Sequence, residues 1–266
     1  QDPKPNPSIS PYATFANNPI LYTDPYGDTV QIEHRKGFLG LGGKQTLNHE
    51  GGSLYNQDGS AYEGKTRGFL GKAVNSLNQG AANSSEAASA LSELESSKNV
   101  FTIKRGSNSF VENDRYKAYA AQFFNQAYLA NLGLGKSNVE DALVASGLIS
   151  SSGGSGGTIY WNPNYGSVWE QGGIATRPTT NLFHELFHGL DANRGLMDSR
   201  SHLHLKVSRS EWQSVYRENI MRSQMGLPLR THYIDKITSD GVSVSPGGPT
   251  MLTPDGKPRL PFWYKP

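Results

Sequence analysis

His184-Glu185-Leu186-Phe187-His188 lies within the run Pro178-Thr179-Thr180-Asn181-Leu182-Phe183-His184-Glu185-Leu186-Phe187-His188-Gly189-Leu190-Asp191, and its spacing decides how the chain is read. Two imidazoles at i and i+4 stand one turn apart on the same face of a helix, so both reach one metal ion. Pro178 suits the first turn of that helix, and Thr179 or Thr180 can cap it. Leu182, Phe183, Leu186, Phe187 and Leu190 supply the apolar surface that buries it. Glu185 would stand beside the metal without binding it, where a carboxylate takes a proton from metal-bound water and later passes it on. The expected metal is Zn2+, which lowers the pKa of its bound water towards neutrality and polarises a carbonyl. The competing reading is a helix that merely carries His and Glu on its surface.

A catalytic zinc takes a third protein ligand, and a chain without Cys leaves only His and carboxylates to supply it. Downstream stand Asp191, Asp198, His202, His204, Glu211 and Glu218. Asp191, seven residues after His184 and three after His188, is a turn too far along to bind the metal and reads as an acceptor for an imidazole N–H. Glu211 and Glu218 lie seven apart in a segment that reads as a helix starting near Ser208 or Ser210, and share one face. Glu211 is the expected third ligand and Glu218 the alternative; otherwise Glu218 supports the ligands from behind. Arg230 and Tyr233, three apart, are expected to donate hydrogen bonds to a developing oxyanion, with Glu218 holding Arg230 by a charge-assisted pair.

These pieces resemble known arrangements. A second helix supplying a Glu, with a small residue such as Ser214 three positions later, resembles the glutamate-zincin pattern. The Arg230–Tyr233 spacing resembles that of clostridial neurotoxin light chains. HELFHGLD (184–191), EWQSVYREN (211–219), IMRSQMGLPLR (220–230) and THY (231–233) together resemble the NleD-type effector metallopeptidases over about residues 158 to 235, with Gln224 where many relatives show Glu. The resemblance implies a zincin-like fold, zinc, Glu185 as catalytic base, and proteolysis of a protein or peptide substrate inside a target cell. A second resemblance lies at the other end. Ser8-Ile9-Ser10-Pro11-Tyr12, Asn17-Asn18-Pro19-Ile20 and Asp24-Pro25-Tyr26-Gly27 look like the closing segment of an RHS-repeat-associated core. It implies a C-terminal toxin carried in the RHS shell of a parent chain and secreted by a specialised machine such as a type VI system, with a cognate immunity protein if the target is bacterial.

The 266 residues carry a net charge of +2 without a basic block, which argues against nucleic acid as a partner. Gly 30 and Pro 15 mark a loop-rich globular chain, and zero Cys removes thiol nucleophiles and disulfides. Nowhere do eighteen apolar residues run together, so no membrane span is expected, and the N-terminal QDPKPNPSIS lacks the regions of a signal peptide.

Working outward, residues 1–28 read as turns, and 29–75 as a Gly-rich connector with one short strand at Thr29-Val30-Gln31-Ile32. A helix is expected over 76–97, a strand at Val100-Phe101-Thr102-Ile103, a helix over 116–132 and a flexible loop at 150–157. Ile159, Tyr160 and Trp161 form a strand, expected at a sheet edge where it would pair with an extended substrate. Past Ile237 the chain reads as an irregular surface tail. The expected architecture is α+β, a small mixed sheet packed on the HExxH helix. Its expected divisions are an RHS remnant (1–28), an accessory region (29–95), a metallopeptidase domain (96–240) and the tail (241–266). The leading expectation is a zinc endopeptidase toxin. The alternatives are a metal-stabilised binding module with His202 or His204 closing the site, and a peptidase that processes its own parent chain.

Overall fold

The computed structural model describes residues 30–36, 42–113, 154–198, 207–237 and 244–266. Val30 and Ile32, fully buried and separated by a half-buried Gln31, place β1 (Val30–Arg35) with one face inward. It sits inside a six-stranded sheet with β2 (Lys44–Glu50), β3 (Ser53–Tyr55), β4 (Phe101–Arg105), β5 (Ser109–Glu112) and β6 (Gly157–Trp161). The strand order is β3-β2-β1-β4-β6-β5, with β4 parallel to both β1 and β6 and the remaining pairs antiparallel. A parallel neighbour demands a crossover. Between β3 and β4 the chain makes it with α1 (Gly68–Asn83) and α2 (Ser85–Glu95). The mixed sheet therefore packs as expected on the HExxH helix, α3 (Pro178–Asn193), and the fold is α+β. Phe101, Ile103, Ile159 and Trp161 from the sheet meet Leu182, Phe183, Leu186 and Phe187 in one core. Gly80 permits the closest approach of α1, since a Cβ there would stand 2.1 Å from the Phe183 ring.

Several expectations change. The connector at 29–75 contributes three strands, and its residues share the core of α3. The helix expected over 76–97 is two helices. Asn83-Ser84-Ser85 breaks it, because Ser84 leaves helical geometry and its hydroxyl accepts the Ala87 N–H to start α2. β6 is interior, paired with β4 through Ile103↔Ile159 and with β5 through Phe110↔Ile159, so the edge position belongs to β5. Apolar alternation reports burial, not the number of neighbours a strand has. Ile159 and Trp161 accordingly point into the core, and Tyr160 lies over Gly106. The helix expected over 116–132, residues 1–28, and His202 and His204 lie outside the described residues.

A smaller sheet, β8-β7-β9, is built from β7 (Ser167–Glu170), β8 (Gly173–Thr176) and β9 (Arg230–His232). The tight β7–β8 link passes through Gly172 at φ 94°, a conformation L side chains rarely adopt. Before β9 comes α4 (Arg209–Gln224), which packs along α3. The expected surface tail is partly built in: β10 (Ile234–Ile237) pairs antiparallel with β11 (Val244–Gly247), and Met251, Leu252 and Tyr264 are buried. Pro and Gly stop regular structure, but they do not keep the apolar residues between them in water.

Candidate metal centre

Every residue of α3 from Thr180 to Ala192 is buried, the two histidines among them. The helix starts at Pro178 after Arg177, without a side-chain cap; Thr180 instead donates its hydroxyl to the Arg177 carbonyl at 3.2 Å. Trp161 steadies the same end by donating its indole N–H to the Pro178 carbonyl at 3.1 Å. One turn apart, the His184 and His188 rings meet edge-on with centroids 4.9 Å apart.

Helix α4 brings the third group. Ser214, fully buried, donates its hydroxyl to the His184 carbonyl, an approach that only a small side chain three residues after Glu211 allows. Glu211, in the first turn of α4, then places Oε2 at 3.0 Å from His184 Nε2 and 3.2 Å from His188 Nε2. In a tetrahedral zinc site with bonds near 2.0–2.2 Å, neighbouring donor atoms lie about 3.3–3.6 Å apart. The three donor atoms lie within 4.8 Å of one another, close enough to share one ion, and two imidazole nitrogens with one carboxylate oxygen suit zinc chemically. Glu211, rather than Glu218, is the carboxylate in this group.

Glu218 lies on the other side of the His184 ring from Glu211. Its Oε2 lies 3.0 Å from His184 Nδ1 and takes a hydrogen bond from Arg230 Nη1 at 3.0 Å, while Oε1 accepts from Arg222 Nε at 2.7 Å. Burial would raise this carboxyl's pKa, but Arg222 and Arg230 hold it far below the ordinary carboxylate range. His184 therefore has a carboxylate at each ring nitrogen. Burial would depress its pKa, but the hydrogen bonds with Glu211 and Glu218 raise it to about 9. Burial also raises the Glu211 carboxyl, but His188 and His184 pull it well below the usual range. Glu185, buried next to His184 in the chain, is pushed upward by desolvation, with His184 and His188 opposing. A carboxylate that holds its proton more firmly than usual is suited to taking one from an activated water.

The network runs deeper than the sequence indicated. Arg222, fully buried, also donates to Glu170 Oε2 at 2.7 Å, the Pro228 carbonyl at 3.0 Å and Thr180 Oγ1 at 3.1 Å. Glu170 in turn takes both prongs of Arg177, at 2.7 and 2.6 Å. Of these three missed residues only Arg222 carried a signal, as the i+4 partner of Glu218 on one helix. Glu170 and Arg177 come from separate elements, and no local pattern joins them.

Tyr233 stacks against His184 at 6.2 Å, with the Arg230 guanidinium 4.7 Å above its ring. Burial and the nearby Glu211 carboxylate raise its pKa, so the phenol keeps its proton and remains a donor. Arg230, expected to face an oxyanion directly, spends its guanidinium on Glu218 and the Tyr233 ring. On the other flank Phe110 from β5 stacks with His188 at 6.4 Å. Asp191 differs from expectation: its Oδ1 accepts the Tyr264 hydroxyl at 2.6 Å, and Glu218 is the carboxylate that supports an imidazole. Burial raises its pKa to about 6.

The profile of the M91 peptidase family, described as effector protein, matches residues 56–233. That span contains both histidines, Glu185, Glu211, the arginine network and Tyr233. No curated protein and no solved structure matches the chain.

Proposed function

The chain belongs to the M91 peptidase family of effector proteins, and from that premise we propose that it is a zinc-dependent endopeptidase which cuts a protein of the cell it enters. The observation that carries this reading is the convergence of His184 Nε2, His188 Nε2 and Glu211 Oε2 beside a buried Glu185. Zinc held by those three would supply a water of near-neutral pKa and polarise the scissile carbonyl. Glu185 takes the proton of the attacking water and returns it to the leaving amine. The Tyr233 phenol donates to the oxyanion, and Arg230 holds both Tyr233 and Glu218 in place. Glu218 accepts the His184 Nδ1 proton and so leaves the Nε2 lone pair for the metal. Among the described residues no strand pairs with the outer edge of β5, which would offer its backbone to an extended substrate. A closed structural site would need a fourth protein ligand. His202 and His204, the candidates for it, lie outside the described residues, and membership of a peptidase family is what favours the catalytic reading over a binding module.

The RHS-like motifs within residues 8–27 extend the proposal to a secreted toxin, released from a parent shell after delivery by a specialised system, with an immunity protein wherever the target is bacterial. The test is to incubate the purified chain with bacterial and with eukaryotic lysates and to label new protein N-termini. A discrete set of new N-termini is expected, absent after chelation and restored by zinc. Zinc-loaded protein that creates none in either lysate would overturn the reading.

A further inference from the structure

Tyr264 lies beyond the region matched to the family, yet it is only 4% exposed and sits between the two helices that bear the metal donors. Its hydroxyl donates to Asp191 Oδ1 at 2.6 Å and accepts from Arg217 Nε. Asp191 is on α3, three residues after His188, and Arg217 is on α4, immediately before Glu218. Asp191 and Arg217 themselves approach only to 3.7 Å, longer than the roughly 2.7–2.9 Å of a direct charge-assisted hydrogen bond, so the phenol hydroxyl is the bridge. Arg217 Nη1 is held separately by Glu86 of α2, while Asp191 Oδ2 and Arg217 Nη2 are buried without a hydrogen-bond partner among the described residues, so Tyr264 is the link between Asp191 on α3 and Arg217 on α4. The ring is fixed too, under the Arg217 guanidinium at 5.5 Å and edge-on to Tyr216 at 6.3 Å.

The segment leading to Tyr264 is tied to the site at its other end. The Met251 N–H donates to the Thr231 carbonyl at 2.8 Å, two residues before Tyr233, and the Arg259 N–H donates to the Met251 carbonyl at 3.1 Å. Met251 is buried with Val207, Trp212 and Val215, and Tyr233 and Trp263 pack against that cluster.

We infer that Tyr264 is a positioning residue for the metal centre: its hydroxyl, bridging Asp191 and Arg217, sets the separation between the helix of His184 and His188 and the helix of Glu211. The inference rests on the proposed metal-dependent reading. Without the hydroxyl, Asp191 loses its link to Arg217, which Glu86 still holds from α2, and the Asp191 end of α3 shifts relative to α4 across the 3.7 Å gap. Metal donors tolerate only about 0.5 Å of such displacement.

The test is Tyr264→Phe, which keeps the ring contacts and removes only the hydroxyl. Its apparent Zn2+ affinity by chelator competition should fall about tenfold, and its kcat by a similar factor at unchanged KM. The visible absorption bands of the Co2+-loaded protein should shift while the far-ultraviolet circular dichroism stays as in wild type. Asp191→Asn, which preserves shape and weakens the acceptor, should move affinity and spectrum in the same direction and serves if Tyr264→Phe fails to fold. Wild-type affinity and spectrum in the folded variants would overturn the inference alone. Wild-type protein that takes up neither Zn2+ nor Co2+ would overturn the metal-dependent reading beneath it.

Discussion

Glu185→Gln is expected to keep its metal and its fold while turnover falls by about 10²- to 10⁴-fold. Glu185 is outside the group of three converging donors, so replacing it leaves the ligand set intact. Its side chain is buried, and desolvation raises its pKa, so the native charge is held there at a cost in stability. An amide of the same shape removes that cost, and the melting temperature should not fall. What the amide cannot do is accept a proton from the attacking water. Turnover, metal content and thermal melting measured on one preparation decide the point. Retained turnover would remove Glu185 as the base, and lost metal would make it a ligand instead.

Glu218→Gln should act in the opposite way, through the framework. Glu218 is fully buried, and its oxygens serve Arg222, Arg230 and His184 together. The amide turns one acceptor into a donor that faces other donors and leaves the buried cations short of a counter-charge. Breaking a buried pair from one side costs about 3–5 kcal/mol. For a chain of this size that is a fall in Tm of roughly 10 °C. Metal affinity should weaken about 10- to 100-fold, because His184 loses the acceptor that orients it. The pH dependence has a definite sign. The arginines depress the folded-state pKa of Glu218, so its contribution is complete above the ordinary carboxylate range and is withdrawn as the pH falls below it. The gap in stability between wild type and variant should therefore be full at neutral pH and narrow below about pH 4. A variant as stable as wild type at pH 7 would show that the network is dispensable.

The parts of this site legible in the sequence are those whose chemistry depends on one helix. His184 and His188 share a face because of the helical period, and Glu211, Ser214 and Glu218 follow the same logic on the next helix. The strands at Phe101 and Ile159 were legible from alternation, but their neighbours were not, which is why β6 proved interior and β5, with its short Ser109-Phe110-Val111-Glu112 run, took the edge. Glu170, Arg177 and Arg222 meet only once three elements are folded together. Tyr264 was hidden in a Pro- and Gly-rich stretch, where the composition describes the backbone and says nothing of one aromatic side chain that finds a buried partner. Asp191 was expected to accept an imidazole N–H, but the partner it has, Tyr264, comes from the far end of the chain.

The most direct test of the central claim, that His184, His188 and Glu211 hold one metal ion, is elemental analysis of the purified chain beside His188→Ala and Glu211→Ala. One zinc per chain in wild type, none in His188→Ala and a weakly held, substoichiometric amount in Glu211→Ala is the predicted result. A wild type that holds no metal under any loading condition, or a His188→Ala that holds as much as wild type, would contradict it.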